Sequence, residues 1–181
     1  MINLFGKLQK ESLLKQRGFM LDLGCGNGKL SEPFFQSGYK VTLVDKDIDA
    51  LQEAENNLKK IRENELEALN VSIEDFKFDK SYDGIIISNA LPFQKSKESI
   101  IRIVQTAWEK VNKGGFFYLT LFGVNDEWAK EHVTTMTFHT KDEALSILKE
   151  SPYYLSEDFG QGSTMKGGMK TWHIFSLLYI K

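Results

Sequence analysis

Two rhythms of apolar residues alternate along this chain. Short dense runs mark strands at 18–23, 40–44, 82–88 and 116–122, and a weaker alternating run covers 66–73. Between them, apolar positions recur three and four residues apart, the spacing of a helix face. A leader of this kind spans 2–16, with Ile2, Leu4, Phe5, Leu8, Leu13 and Leu14 on its apolar side. A first helix is predicted from about 28 to Ser37, where Gly38 stops it, with Pro33 tolerable only in the first turn. A second runs from an Asp47 N-cap to about Glu63, with Ile48, Leu51, Ala54 and Leu58 on one face. A third spans 96–112, carries Ile100, Ile103, Val104, Ala107 and Val111, and ends at Gly114 and Gly115. Thr140 and Glu143 form a capping box opening a helix to about Lys149. Two late strands, 152–158 and 171–180, flank a glycine-rich stretch at 160–168 and predict a hairpin with a mobile loop. Strand alternating with helix predicts an α/β fold with a doubly wound sheet.

The first strand runs into three glycines spaced two apart, Gly24, Gly26 and Gly28, with Cys25 and Asn27 between them. A strand that turns directly into a helix needs residues that accept positive φ, which glycine supplies without steric cost. The missing Cβ atoms also let a ligand lie against the backbone, near the open amides of the helix start. Asp22 stands two residues before the first glycine, and Asp45 closes the second strand. An acid at that second position can accept hydrogen bonds from both hydroxyls of a ribose. The dinucleotide fingerprint would require a glycine at position 29, which is Lys29.

The series Asp22-x-Gly24-x-Gly26-x-Gly28 with Asp45 resembles the first motifs of the class I S-adenosylmethionine-dependent methyltransferases. The resemblance extends along nearly the whole chain. It implies a Rossmann-like seven-stranded sheet in the order 3-2-1-4-5-7-6, with the last strand antiparallel. It also implies S-adenosyl-L-methionine as cofactor and S-adenosyl-L-homocysteine as product. In that family the acid before the glycines lies near the methionine end of the cofactor, the position of Asp22, and Asp45 matches the ribose acid. Lys46 follows it, where the family packs a residue on the adenine face. After the third strand the family places an acid and an apolar residue against adenine. Asp75 and Phe76 match, with Glu74 as the competing register. After the fourth strand, Ser88 and Asn89 border the methionine moiety and the substrate mouth. The 89–92 stretch, Asn-Ala-Leu-Pro, departs from the Asn-Pro-Pro-Tyr motif of methylases acting on exocyclic or glutamine amides. Small tellurite-resistance-like and thiopurine-like enzymes share this outline more distantly.

Composition narrows the classes. At 181 residues, 41% hydrophobic and 27% charged, the chain fits one domain with a real core. The expected organisation is a leader at 1–16, a cofactor-binding core at 18–122, and a lid segment, helix and hairpin at 123–181. A net charge of -2 without a dense basic patch argues against nucleic acid. No apolar run reaches the roughly 20 residues of a membrane span. One cysteine precludes an internal disulfide and suits a reducing cytosol. His132, His139 and His173 lack metal-ligand spacing, so no metal is expected. None of the three stands out as a general base, and His173 beside Trp172 reads as packed. Phe34, Phe35, Phe93, Phe122 and Trp128 fall near loop ends where a substrate could sit, Trp128 within a lid candidate at 123–138. The favoured activity is in-line methyl transfer to a small molecule. A cofactor-binding module without catalysis and a nicotinamide-dependent oxidoreductase are the alternatives.

Overall fold

The computed structural model describes residues 3–132, 134–164 and 167–181. Among the described residues, twelve α-helices and strands follow one another: α1 (Leu4–Lys10), β1 (Phe19–Leu23), α2 (Glu32–Gln36), β2 (Lys40–Asp45), α3 (Ile48–Lys59), β3 (Leu66–Asn70), β4 (Tyr82–Ile87), α4 (Lys97–Glu109), β5 (Val111–Phe122), α5 (Lys141–Leu145), β6 (Tyr154–Ser163) and β7 (Met169–Ile180). The strands form one seven-stranded sheet in the order β3-β2-β1-β4-β5-β7-β6. Strands β1 to β5 pair in parallel, and β7 runs antiparallel to both its neighbours. This is the order that the family resemblance implies.

The central strands are buried on both faces, as a parallel sheet between helix layers requires. On one face, Leu21, Ile85, Ile87, Phe117 and Leu119 pack with Ile100, Val104 and Ala107 of α4. On the other, Met20, Leu43, Ile86 and Phe116 meet Leu4 and Leu8 of α1, Phe34 and Phe35 of α2, and Leu51, Ala54 and Leu58 of α3. Phe116 presses against Gly84 of β4, where any Cβ would collide with the ring.

Several boundaries differ from the apolar rhythm. The leader helix ends at Lys10, not at residue 16. Ser12 takes φ +57°, and the Leu13 and Ser12 amides donate to the Leu8 and Gln9 carbonyls, a Schellman-type stop. Leu13 and Leu14 still pack on the core, but from non-helical chain. The first βα helix is confined to Glu32–Gln36, because turns centred on Gly28 consume the residues before it. Helix α3 begins as expected, with Asp47 accepting from the Asp49 and Ala50 amides. It stops at Lys59, and its Ile48 is exposed instead of lying on the packed face. Helix α4 ends at Glu109, because Val111 is already paired with Tyr82 of β4. Gly114 and Gly115 therefore lie inside β5 and do not stop the helix. The Thr140–Glu143 capping box is present, but α5 closes at Leu145. The hairpin is longer than expected: residues 160–163 belong to β6 and pair with 169–172 of β7. Residues 1–2 of the expected leader, Val133 of the lid candidate, and Met165 and Lys166 of the expected loop lie outside the described residues.

Candidate active site

The glycine loop sits at the carboxyl ends of β1 and β2. The Gly24 and Cys25 amides donate to the Val44 carbonyl at 2.7 and 3.0 Å, which ties the loop to the neighbouring strand. Gly24, Gly26 and Gly28 have φ of +73°, +52° and +76°. All three positions are therefore left-handed, where a Cβ is strained. A Cβ on Gly24 would also strike the Ala90 side chain, and one on Gly28 would lie 3.0 Å from Ala54. The loop is thus pressed between the segment after β4 and helix α3.

Two carboxylates flank this loop in different environments. Asp45 is part-exposed, and its Oδ2 accepts from the Gly26 amide at 2.8 Å. Its Oδ1 accepts from the Asp47 amide at 2.9 Å. Asp22 is buried beneath the loop and accepts from Ser31 Oγ at 2.5 Å. Burial pushes its pKa up to about 7, against the Ser31 hydrogen bond, and the Asp45 charge adds to the rise. Burial likewise pushes the Cys25 thiol well above its ordinary range, so the sulfur is no nucleophile. Asn27 is half-buried and Lys46 is exposed. The carbonyl of Lys46 and that of Asp45 both accept from the Asn70 amide group.

The segment after β3 folds differently from the expected adenine clamp. Asp75 and Glu74 are exposed, and Asp75 accepts from Ser72 Oγ at 2.8 Å. Phe76 turns its ring into the core, edge-on to Phe78 at 5.0 Å. Its amide donates to the Ser72 carbonyl at 3.0 Å, so the donor expected to meet adenine is engaged within a turn. Ile73 lies near Gly24, which brings this segment to the loop.

After β4, Asn89 adopts φ +55°, a conformation that asparagine tolerates better than most residues. Thr120 of β5 fixes it: Thr120 Oγ1 accepts from the Asn89 amide at 2.7 Å and donates to Asn89 Oδ1 at 3.1 Å. Ser88 Oγ is buried and has no hydrogen-bond partner.

Asn89 also lines a cleft of about 860 Å³ at the carboxyl end of β5. Phe93, Phe122, Trp128, Met136, Phe159 and Trp172 are among its lining residues. Phe93, Phe122 and Trp128, named from the sequence as substrate-side candidates, pack together with ring centroids 6.3–6.5 Å apart. Phe34 and Phe35 are instead fully buried under the opposite end of the sheet. Lys170 sits behind this wall, its ammonium 3.9 Å from the ring centres of both Trp128 and Trp172. Its buried partner is Asp126, which also accepts from the Trp128 and His173 amides. Sequence reasoning missed Ser31, Thr120, Asp126 and Lys170, because each acts on a residue distant along the chain.

The histidines take three roles. His173 is buried and stacked on Phe159 at 4.1 Å. Its Nδ1 accepts from the Asn125 amide, which leaves Nε2–H to donate to Glu157 at 3.1 Å. His139 is buried with neither ring nitrogen hydrogen-bonded, and burial lowers its pKa to about 4. His132 stands edge-on to Trp128 and lines the cleft. Among the described residues, no group of three or more His, Cys, Asp or Glu is arranged to hold a metal ion. Nor is any described helix long and apolar enough to cross a membrane.

Residues 20–115 match the family described as "Methyltransferase domain". The chain belongs to the methyltransferase domain family. The methyl donor of this family is S-adenosyl-L-methionine, released as S-adenosyl-L-homocysteine. The Bacillus subtilis protein YqeM, named as a methyltransferase, is 25% identical over 144 residues, covering 78% of this chain. The chain spans 56% of the length of that relative. Among solved structures, TehB of Haemophilus influenzae superposes with a TM-score of 0.78 at 19% identity, over 97% of this chain and 62% of that one. An S-adenosylmethionine-dependent methyltransferase of Methanosarcina mazei gives 0.67 at 19% identity, over 95% and 97% of the two chains. The magnesium protoporphyrin IX methyltransferase of Synechocystis with bound S-adenosylmethionine gives 0.66 at 17%, over 97% and 76%. Such likenesses show a shared fold.

Proposed function

We propose that this protein transfers the methyl group of S-adenosyl-L-methionine to a small organic nucleophile held in the aromatic cleft. One observation carries the reading: Asn89 belongs both to the segment that closes on Gly24 through Ala90 and to the wall of the cleft. The cleft volume of about 860 Å³ suits a small molecule.

The donor set fits the cofactor. The loop of left-handed glycines leaves its backbone open to close approach, and Asp45 presents a carboxylate at the end of β2, where a ribose diol would bind. Asp22 beneath the loop is the negative partner for an amino group nearby. Asp75 is the acid offered to adenine, with its neighbour Phe76 serving as packing and not as an amide donor.

When bound, the cofactor supplies a methyl group on a positively charged sulfur, ready for in-line displacement. The chain contributes position and dryness. Thr120 holds Asn89 at the junction of the two sites, and the aromatic wall excludes water from the reacting atoms. The reading places the protein in a reducing cytosol, where Cys25 stays a thiol.

Calorimetric titration with S-adenosylmethionine and S-adenosylhomocysteine, followed by transfer of a labelled methyl group into a small-molecule extract, tests this. Binding that Asp45→Ala weakens at least about tenfold, with label appearing in a small product, is the expected result. Tight binding without transfer to any fraction would favour a cofactor-sensing module instead. Label appearing only in protein or nucleic acid would refute the small-molecule acceptor.

A further inference from the structure

We infer that His173 is a positioning residue for the cleft: its neutral imidazole latches the segment that carries Trp128 and His132, and a proton on Nδ1 releases the latch. His173 works from outside the cleft. Its strand neighbours Trp172 and Ile174 line the cleft, and side chains alternate along a strand. The imidazole therefore lies on the other face of β7, with Phe175 of the α4 and α5 core 4.8 Å away. It acts through the backbone that crosses over it.

The crossing begins where β5 ends. A Cβ on Gly123 would collide with the His173 ring, so this glycine is what lets the chain pass so close. The Asn125 amide then donates to Nδ1 at 3.1 Å. Asp126 follows, and its Oδ2 accepts from the His173 backbone amide at 3.1 Å. Its Oδ1 accepts from the Trp128 amide at 3.0 Å and caps the short turn Glu127–Ala129. The latch thus sets the turn that places Trp128 in the cleft wall. Two further ties join this segment to β7: Glu127 accepts from the Thr171 amide at 2.7 Å, and Asp126 pairs with Lys170. Near neutral pH, the bond to Nδ1 is the one whose acceptor can become a donor.

Charge around the ring is uneven. Nε2–H donates to Glu157 Oε1 of β6 at 3.1 Å, and Lys141 of α5 lies 3.1 Å from the other oxygen. Lys141 holds the Glu157 carboxyl below its ordinary range, so Glu157 stays negative and favours an imidazolium beside it. Lys141 opposes that preference. Asp126 faces the backbone amide of His173 and is neutralised by Lys170. Phe159, stacked on the ring at 4.1 Å, and Phe175 carry no charge. The imidazolium would therefore keep an acceptor at Nε2 but set two N–H groups against each other at Nδ1. Asn125 relieves this by turning out, and it takes Asp126 and the Trp128 cap with it. The latch needs nothing but the fold; that its release loosens an acceptor site rests on the methyl-transfer reading.

The test is nuclear magnetic resonance of the nitrogen-15-labelled protein without cofactor, between about pH 7.5 and 5.5. At the upper limit the His173 ring is expected to be neutral, with hydrogen on Nε2 and none on Nδ1. As the ring gains its second proton, the exchange protection of the Asn125 and Trp128 amides, corrected for intrinsic rates, is expected to fall at least about tenfold in step. Leu119, in the middle of β5, is expected to keep its protection, which separates unlatching from global unfolding. His173→Asn supplies a non-titrating acceptor near the Nδ1 position and is expected to keep both amides protected at the lower limit. Glu157→Gln removes the charge at Nε2 and leaves the latch intact, so the ring titration and the loss of protection should move together to lower pH. Hydrogen on Nδ1 at the upper limit overturns the proposal, as does a ring that stays neutral throughout. So does a titration that leaves both amides protected, an equal loss at Leu119, an undiminished loss in His173→Asn, or a titration that parts from the loss in Glu157→Gln. If His173→Asn does not fold, the wild-type protein and Glu157→Gln decide. No methyl donor enters these measurements, so their failure leaves the methyl-transfer reading standing, and failure of cofactor binding leaves the latch standing.

Discussion

The Gly26 amide donates to Asp45 Oδ2 at 2.8 Å, so the carboxylate proposed to hold a ribose is also the clamp on the loop beside it. Its second oxygen is held by the Asp47 amide, at the start of α3. Removing Asp45 therefore does two things. Asp45→Ala is expected to weaken S-adenosylmethionine binding at least about tenfold and to cost roughly 1–3 kcal/mol of stability, because two amides lose their acceptor. Asp45→Asn keeps one acceptor oxygen and should recover most of the stability but little of the affinity. Titration calorimetry paired with urea denaturation separates the two effects. Full affinity in Asp45→Asn would place the ribose elsewhere.

Gly24 combines left-handed backbone with a collision against Ala90. Gly24→Ala should destabilise by about 1–3 kcal/mol and abolish cofactor binding. Ala90→Gly added to it removes the collision and leaves the backbone strain. The double variant should regain part of the stability, and the urea midpoints of the two proteins measure how much. Identical midpoints would mean that the backbone strain alone sets the cost.

Asp22 and His139 oppose one another in their response to pH. The Asp22 pKa rises to about 7 on folding, so its stabilising contribution is complete at acid pH and is lost as pH climbs through about 7. His139 falls to about 4, so its contribution is present above its ordinary value and is lost as pH drops toward about 4. Between those limits the two slopes work against each other. Asp22→Asn should unmask a protein that weakens on acidification from about pH 6.5 to 4. His139→Gln should unmask one that weakens as pH rises from about 4 to 7, each by on the order of a few kcal/mol. Urea midpoints across that range check both. A cofactor ammonium beside Asp22 would also expel its proton, so binding at pH 6 should release protons, read as a buffer-dependent heat.

Lys170 and Asp126 form a buried pair wrapped by Trp128 and Trp172. Lys170→Met leaves a carboxylate buried without its counter-charge and should cost about 3–5 kcal/mol. Asp126→Asn added to it removes the charge and keeps an acceptor oxygen for one of the Trp128 and His173 amides. The double variant should recover at least half of that loss, as measured by thermal unfolding. If it is no more stable than Lys170→Met, the packing of the lysine stem, not the charge, is what matters.

Signals that act over one helical turn were legible in the sequence. The Asp47 cap and the Thr140–Glu143 box are local hydrogen bonds between near neighbours, and both are present. The strand order came through the resemblance carried by Asp22, the three glycines and Asp45, since periodicity does not order strands. Boundaries set by tertiary pairing were not legible: Val111 leaves α4 because Tyr82 awaits it in β4. The supports of the site were hidden for the same reason. Ser31 reaches Asp22 by folding back over the loop, Thr120 holds Asn89 from the next strand, and Lys170 finds Asp126 across the β5–β7 junction. Phe76 has the residue type expected of an adenine neighbour, but its preceding turn uses its amide.

The place of β7 between β5 and β6 has a consequence for synthesis. As the chain leaves the ribosome, β1 to β5 can assemble in parallel, but the outer edge of β5 stays open until roughly 50–60 further residues emerge, a delay of about 3–12 s. During that interval Phe116 to Phe122, whose β7-facing edge β7 later covers, offers unpaired backbone flanked by large apolar side chains. The nascent protein is therefore most vulnerable to sticking to its neighbours just before the cleft acquires its far wall. A chaperone acting on it would find its handle on β5.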